Sequence, residues 1–195
     1  LGQALPLLHR VSGERLRNEV ELILDEPNMP AMMARLEALG LLRAIHPALT
    51  WDAWLAARFE AARRFEAPAA WPMAAAPAAE VLQVVLWALR PDPAQAAEIG
   101  DRLRLPHSTI SAMRSASILW RDRAAWAEET RPSRRVRLLD PHPETALIAT
   151  WIALADEAGA RHALADHRAR WLDGEISSEA EERQRLTRLL EDGAL

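Results

Sequence analysis

The segment Glu80-Val81-Leu82-Gln83-Val84-Val85-Leu86-Trp87-Ala88-Leu89 is apolar on nearly every side at helical spacing, and Pro91 stops it. A helix without a polar face has to be surrounded, so the rest of the chain must supply its shell. The remaining segments also read as helices. Apolar residues recur at three- and four-residue steps, while strand-like alternation is hardly found. The fold class this implies is all-α, a multi-helix bundle.

Local signals divide the shell. Ser12 is an N-cap, Glu14 suits the first turn of the helix it starts, and Leu16, Val20, Ile23 and Leu24 share one face before Pro27 ends the run. A second helix runs from Met29 to Leu39 with Pro30 in its first turn and Gly40 as a left-handed stop, followed by an apolar turn of Leu41, Leu42, Ile45 and Pro47. Thr50 is expected to cap a third helix burying Trp51, Trp54 or Leu55, Phe59 and Ala62. The Ala/Pro-rich stretch 67–79 reads as a loop. Asp92-Pro93 opens another helix, and one long helix is expected from His107 to Glu129 with Ile110, Met113, Ser117 and Trp120 as its stripe. Arg131 to Arg137 reads as a basic connector, and Asp140-Pro141-His142-Pro143 as a break. Helices then follow over Glu144–Ala158 with Gly159 as stop, Arg161–Trp171, and Ser178–Glu191 behind the capping box Ser178-Glu179-Ala180-Glu181.

With 195 residues, half of them hydrophobic, the chain can bury a substantial core. The absence of cysteine excludes a disulfide framework and points to a reducing, cytoplasmic setting. No apolar run is long enough to cross a membrane. The sequence begins at Leu1, as expected of a fragment of something longer. Net charge is −4, yet every basic residue is Arg, a side chain that grips phosphate bidentately. From Gly100 to Arg137 there are nine Arg against Asp101, Asp122, Glu128 and Glu129, so one face can hold a polyanion.

Familiar catalytic constellations are missing: neither Gly-x-Ser-x-Gly, a phosphate-binding Gly-x-x-x-x-Gly-Lys-Ser/Thr, nor His-Glu-x-x-His occurs. His162, Asp166 and His167 lie close together, but five-residue spacing puts the two rings on different faces, and solvent-facing histidines are expected. Ala97 to Arg114 resembles a helix-turn-helix in which Ser108, Thr109, Ser111 and Arg114 would face a DNA major groove. The eight Trp fall mostly at helical spacing and read as core. Trp71 and Trp171 are the two whose surroundings suggest stacking platforms for unpaired bases.

Two stretches carry a family resemblance. Ser12-Gly13-Glu14-Arg15-Leu16-Arg17-Asn18-Glu19-Val20 and, after a spacer, Leu36-Glu37-Ala38-Leu39-Gly40-Leu41-Leu42 with His46-Pro47-Ala48-Leu49 resemble class II tRNA nucleotidyltransferases (CCA-adding enzymes) and bacterial poly(A) polymerases. Leu172-Asp173-Gly174-Glu175-Ile176 is similar to the segment closing the body of many members, though the Gly-x-Asp-Leu…Pro-Gly-Pro run many relatives carry before it is absent. Arg102-Leu103-Arg104-Leu105 is the best echo between.

The resemblance implies an all-α neck (1–25), a helical body with a basic middle (26–140) and a C-terminal body and tail (141–195). These would hold RNA, in the family a tRNA acceptor arm, beside a separate N-terminal catalytic head. The head would carry Mg2+ and take CTP or ATP; its metal-binding and base-selecting motifs do not occur here, so no catalytic or metal residue is assigned to this segment. By position, Ser12, Glu14, Arg15 and Glu19 take the family's role of bracing the nucleotide pocket. Charge density nominates Arg102, Arg104, Arg114, Arg121, Arg123, Arg134, Arg135 and Arg137 as RNA phosphate contacts. The alternatives are a helix-turn-helix DNA-binding protein and a purely structural or dimerising helical module.

Overall fold

The structure, a computed structural model, describes residues 5–68, 71 and 75–172. Among them are eleven α-helices and no strand, the all-α architecture expected. A 3-10 helix, Leu5–Arg10, leads into α1 (Gly13–Asp25), α2 (Met29–Ala38), α3 (Leu41–Ile45) and α4 (Ala53–Arg63). Then come α5 (Ala79–Trp87), α6 (Pro93–Arg102), α7 (His107–Arg121), α8 (Arg123–Glu128) and α9 (Pro132–Leu139). The described chain ends with α10 (Glu144–Ala153), a 3-10 turn (Leu154–Asp156) and α11 (Ala158–Leu172).

The helix without a polar face is the centre, as its sequence requires. Six consecutive residues of α5, Leu82 to Trp87, are buried, packed by α4, α7 and α10. Each fully buried Leu or Val of this kind stabilises by roughly 1.5–3 kcal/mol. The one polar residue among them, Gln83, donates its side-chain amide to the Phe59 carbonyl at 3.3 Å, so burial leaves that donor satisfied. α10 is buried nearly all round as well, with Thr150 returning its hydroxyl to the Ala146 carbonyl at 2.8 Å. Where α6 crosses α7, Gly100 lies so close to Ile110 that a Cβ would collide with Ile110 Cγ1 at 2.6 Å. The missing side chain sets that close crossing.

Local punctuation behaves as its chemistry dictates. Ser12 Oγ accepts the Arg15 N–H at 3.3 Å, Pro30 sits in the first turn of α2, and Gly40 has φ 71°. Asp92 and Gln95 form a reciprocal capping box at the start of α6.

Several expectations need correction. Asp52, not Thr50, caps α4, its Oδ1 accepting the Leu55 N–H at 2.9 Å, and the Thr50 carbonyl instead accepts Trp87 Nε1 at 2.8 Å. The apolar turn after Gly40 is a short helix, α3. The long helix from His107 to Glu129 breaks at Asp122. A straight helix would carry Trp126 about 220° round from Met113, to the opposite side. The break swings it in, and Trp126 Nε1 donates to the Leu119 carbonyl at 2.9 Å. The basic connector is a helix, α9, started by Pro132 and anchored by buried Leu139.

Gly159 does not stop a helix but lies in the first turn of α11. The stop comes earlier, where buried Arg58 takes the Ala153 carbonyl and pairs with Asp156. The Ser178–Glu191 helix lies outside the described residues.

Candidate nucleic-acid interface

The first site builds on α1. Its apolar half, Leu16, Val20 and Leu24, is buried, which leaves Glu14, Arg15 and Glu19 exposed. None of these three makes an ion pair among the described residues. Arg17, one turn from the cap, pairs with Glu21 at 3.6 Å and donates to the Arg104 carbonyl at 2.8 Å.

That last bond is one part of a junction joining residues before Thr50 to α6. A Cβ on Gly13 would run into the Arg102 carbonyl oxygen and lie 2.8 Å from Arg104 Cγ, so the start of α1 sits directly on the end of α6. Arg102 reaches back to the Leu8 carbonyl at 2.8 Å and the Val11 carbonyl at 3.2 Å. On the far side His46 Nδ1 accepts the Ala48 N–H at 3.2 Å, which leaves the proton on Nε2 to donate to Glu98 Oε2 at 3.3 Å. Arg104 is the only non-glycine with positive φ (53°) among the described residues. It ends α6 in a Schellman motif, with Leu105 N–H to the Gly100 carbonyl at 3.0 Å and Arg104 N–H to the Asp101 carbonyl at 3.1 Å.

The nominated arginines fall into two groups. Arg102 is committed to backbone carbonyls. Arg123 binds Glu157 at 3.1 and 3.2 Å and the Trp120 carbonyl at 2.8 Å. On α9, Arg135 donates to the Glu129 carbonyl at 2.6 Å, and Arg134 lies 4.0 Å from the Glu129 carboxylate. That carboxylate is held below its usual range chiefly by the Arg131 backbone N–H, with burial opposing and the Arg131 side chain assisting. Arg137 is exposed. Arg114 and Arg121 are exposed on α7 and make no ion pair or side-chain hydrogen bond among the described residues; Arg104 is exposed at the turn before it. Ser108 and Ser111 are also exposed on α7, and Thr109 is half-buried.

Trp71 is buried, its Nε1 donating to the Ala165 carbonyl at 3.4 Å and its ring 5.3 Å from Trp151, so it is a packing residue rather than an open platform. The side chains of Trp171, Asp166 and His167 lie outside the described residues, and His162 is exposed. No three His, Asp or Glu side chains converge among the described residues, so these residues do not fit a Mg2+ site. No described helix is long and apolar enough to cross a membrane.

Sequence reasoning missed one cluster. The guanidinium groups of Arg58 and Arg90 both lie over Trp54, 4.6 and 4.4 Å from its ring centre, and its ring is 5.3 Å from that of Trp120. The four-residue spacing of Trp54 and Arg58 was its only sequence signal. Arg90 and Trp120 come from separate helices or turns.

Comparison with known proteins bears on the first of these regions. Residues 2–52 match the family described as "Probable RNA and SrmB- binding site of polymerase A". No curated protein and no solved structure matches the chain. The match covers both N-terminal stretches that resemble the nucleotidyltransferases, and α1 to α3, joined to α6 and the turn after it through Gly13, Arg17 and His46, give it a structure. Residues 2–52 are a poly(A) polymerase-like RNA-binding region.

Proposed function

We propose that this chain is the RNA-holding helical portion of an enzyme that adds CMP or AMP to RNA 3′ ends, a tRNA nucleotidyltransferase or a poly(A) polymerase-like protein. In this reading a catalytic head elsewhere in the protein carries Mg2+ and takes CTP or ATP. The helices described here hold the RNA, with a tRNA acceptor arm as the substrate to try first, and brace the head. The observation that supports the reading is a coincidence within residues 2–52. The RNA-binding match falls on a helix, α1, whose apolar half is locked into the core while Glu14, Arg15 and Glu19 remain outside. Those groups are free to brace a neighbouring domain by charge-assisted hydrogen bonds.

Binding of the chain to tRNA and to duplex DNA across a range of salt tests the RNA half of the proposal. A salt-sensitive preference for tRNA is expected. Joining the chain to its native upstream sequence and assaying CTP and ATP incorporation tests the other half; no incorporation would sink the polymerase reading. In an active fusion, Glu14→Gln or Arg15→Ala is expected to loosen nucleotide selection without unfolding the chain.

One observation favours a second reading. α6 and α7 are joined by the short turn 103–106, with Ser108, Ser111 and Arg114 exposed on the second helix, as a DNA-reading helix-turn-helix requires. A preference for one duplex DNA sequence in the same binding experiment would select it.

A further inference from the structure

α7 contains no Asp or Glu. Its buried side is Ala112, Met113, Ala116, Ser117 and Leu119. His107, Arg114 and Arg121 stand at seven-residue steps on the other side, each step about 10.5 Å along the axis with a drift of only ~20°. All three are exposed, and both arginines lack a carboxylate partner among the described residues. The two arginines are charges without a counter-charge on their own helix, the arrangement that attracts a phosphate backbone.

At the end of that row the chemistry changes. Trp120 precedes Arg121 on α7, about 100° round the helix from it, and its ring and that of Trp54 form a tilted pair with three guanidinium groups over them: Arg123 over Trp120 at 4.4 Å, and Arg58 and Arg90 over Trp54. Each of these cations has its own carboxylate: Arg123 has Glu157, Arg58 has Asp156, and Arg90 has Asp52. The cluster is therefore close to neutral and holds little attraction for phosphate. Its planar surfaces persist, however, and the Arg90 and Arg123 side chains are 39% and 36% exposed. Flat, polarizable, charge-balanced surface suits a nucleobase, which stacks on aromatic rings and on guanidinium planes alike.

We propose that the Trp54–Trp120 pair with Arg90 and Arg123 is a base-stacking site for single-stranded RNA whose phosphates run along α7 on Arg114 and Arg121. The inference rests on the RNA-binding reading above and adds a substrate class to it, an unpaired strand rather than a duplex. It also extends the RNA surface beyond residues 2–52.

The test compares binding of the full chain to a short oligoadenylate with binding to an abasic ribose-phosphate strand of the same length, which keeps every phosphate and removes every base. The base-bearing strand should bind at least about fivefold more tightly, the lower end for one stacked base. Trp120→Ala should erase that difference, while Trp120→Phe keeps most of it. Arg114→Ala with Arg121→Ala should weaken both strands alike and lower the salt slope by roughly 1.4, two phosphates at ~0.7 each. Equal binding of the two strands by the unaltered chain would overturn the stacking site and leave RNA binding standing. So would a difference that survives Trp120→Ala. Tighter binding of an RNA duplex of equal length would overturn the single-strand assignment, and binding of no RNA at all would remove the underlying reading too.

Discussion

Arginine does two different jobs in this molecule. At the junction of α1 with α6, Arg102 and Arg17 spend their donors on the carbonyls of Leu8, Val11 and Arg104. On the outer side of α7, Arg114 and Arg121 have no such partner among the described residues. Arg102 falls in the same basic stretch of sequence as Arg114 and Arg121, and counting charge cannot separate them. What separates them is the presence of helix C-termini nearby. Unsatisfied carbonyls of a 3-10 helix and of a closing α-helix draw in guanidinium donors, whereas the middle of α7 offers Arg114 none because its carbonyls are already bonded; Arg121, in the last turn of α7, makes no such bond among the described residues. The first group therefore belongs to the fold and the second is available to a ligand.

The largest expected effect breaks the junction itself. Gly13→Ala forces a methyl into the Arg102 carbonyl, which is backbone and can yield only if α1 and α6 separate. Because the obstacle is backbone, a loss of about 3 kcal/mol or somewhat more, the upper end for such overpacking, is expected, read as a lower urea midpoint. An unchanged midpoint would show that the helix ends are not in contact.

A direct contrast comes next. Arg102→Ala removes two charged donors from carbonyls and should cost about 1.5–3 kcal/mol. Arg114→Ala and Arg121→Ala should each stay within about 0.5 kcal/mol of the parent, yet weaken RNA binding. If Arg114→Ala destabilises as much as Arg102→Ala, the division into structural and available arginines fails.

This contrast also marks what sequence could supply. Helix identity was legible for α1, α2, α5 and α6 because caps, Pro and apolar spacing agreed there. Boundaries failed where a tertiary contact overrode local preference: Trp126 pulled a break into the expected long helix, and Arg58 ended α10 before Gly159. The basic run after Arg131 looked like a connector because its composition is polar. It is a helix because Pro132 starts it and Leu139 has a core to enter. Ser12, Glu14, Arg15 and Glu19 could be placed because they lie in one motif. The Trp54–Trp120 pair could not, since residues from α4, α7, the turn after α5 and the start of α8 meet only in three dimensions.

A smaller effect of opposite sign concerns Arg104. A non-glycine at φ 53° closing α6 carries a backbone cost of about 1 kcal/mol. Arg104→Gly should recover most of it, with the urea m-value unchanged. If Arg104 also touches phosphate, the same variant will be more stable and bind RNA less well. Gain of stability with unaltered RNA affinity would place Arg104 with the structural arginines.

The smallest effect uses pH to separate the two groups, because only partnered arginines depend on a carboxylate. Burial pushes the Asp52 carboxyl up, but the Arg90 side chain, the Leu55 N–H and the Arg90 charge outweigh it and hold the group below its usual 3.8. A depressed folded value means that the stabilisation is fully present above about 3.8, the unfolded value, and is lost as pH falls through the lower folded one. His142, half-buried where the chain turns into α10, is also held below its usual value, there by burial. Its contribution is lost as pH falls below about 6.5, a higher window that keeps the two apart. Urea midpoints measured through both windows should fall in two steps. Asp52→Asn should remove part of the lower step and leave the upper one. The Arg114→Ala, Arg121→Ala chain should trace the parent's curve through both windows, since neither arginine leans on a carboxylate. A changed acid step in that double variant would mean that the outer face of α7 is tied into the fold after all.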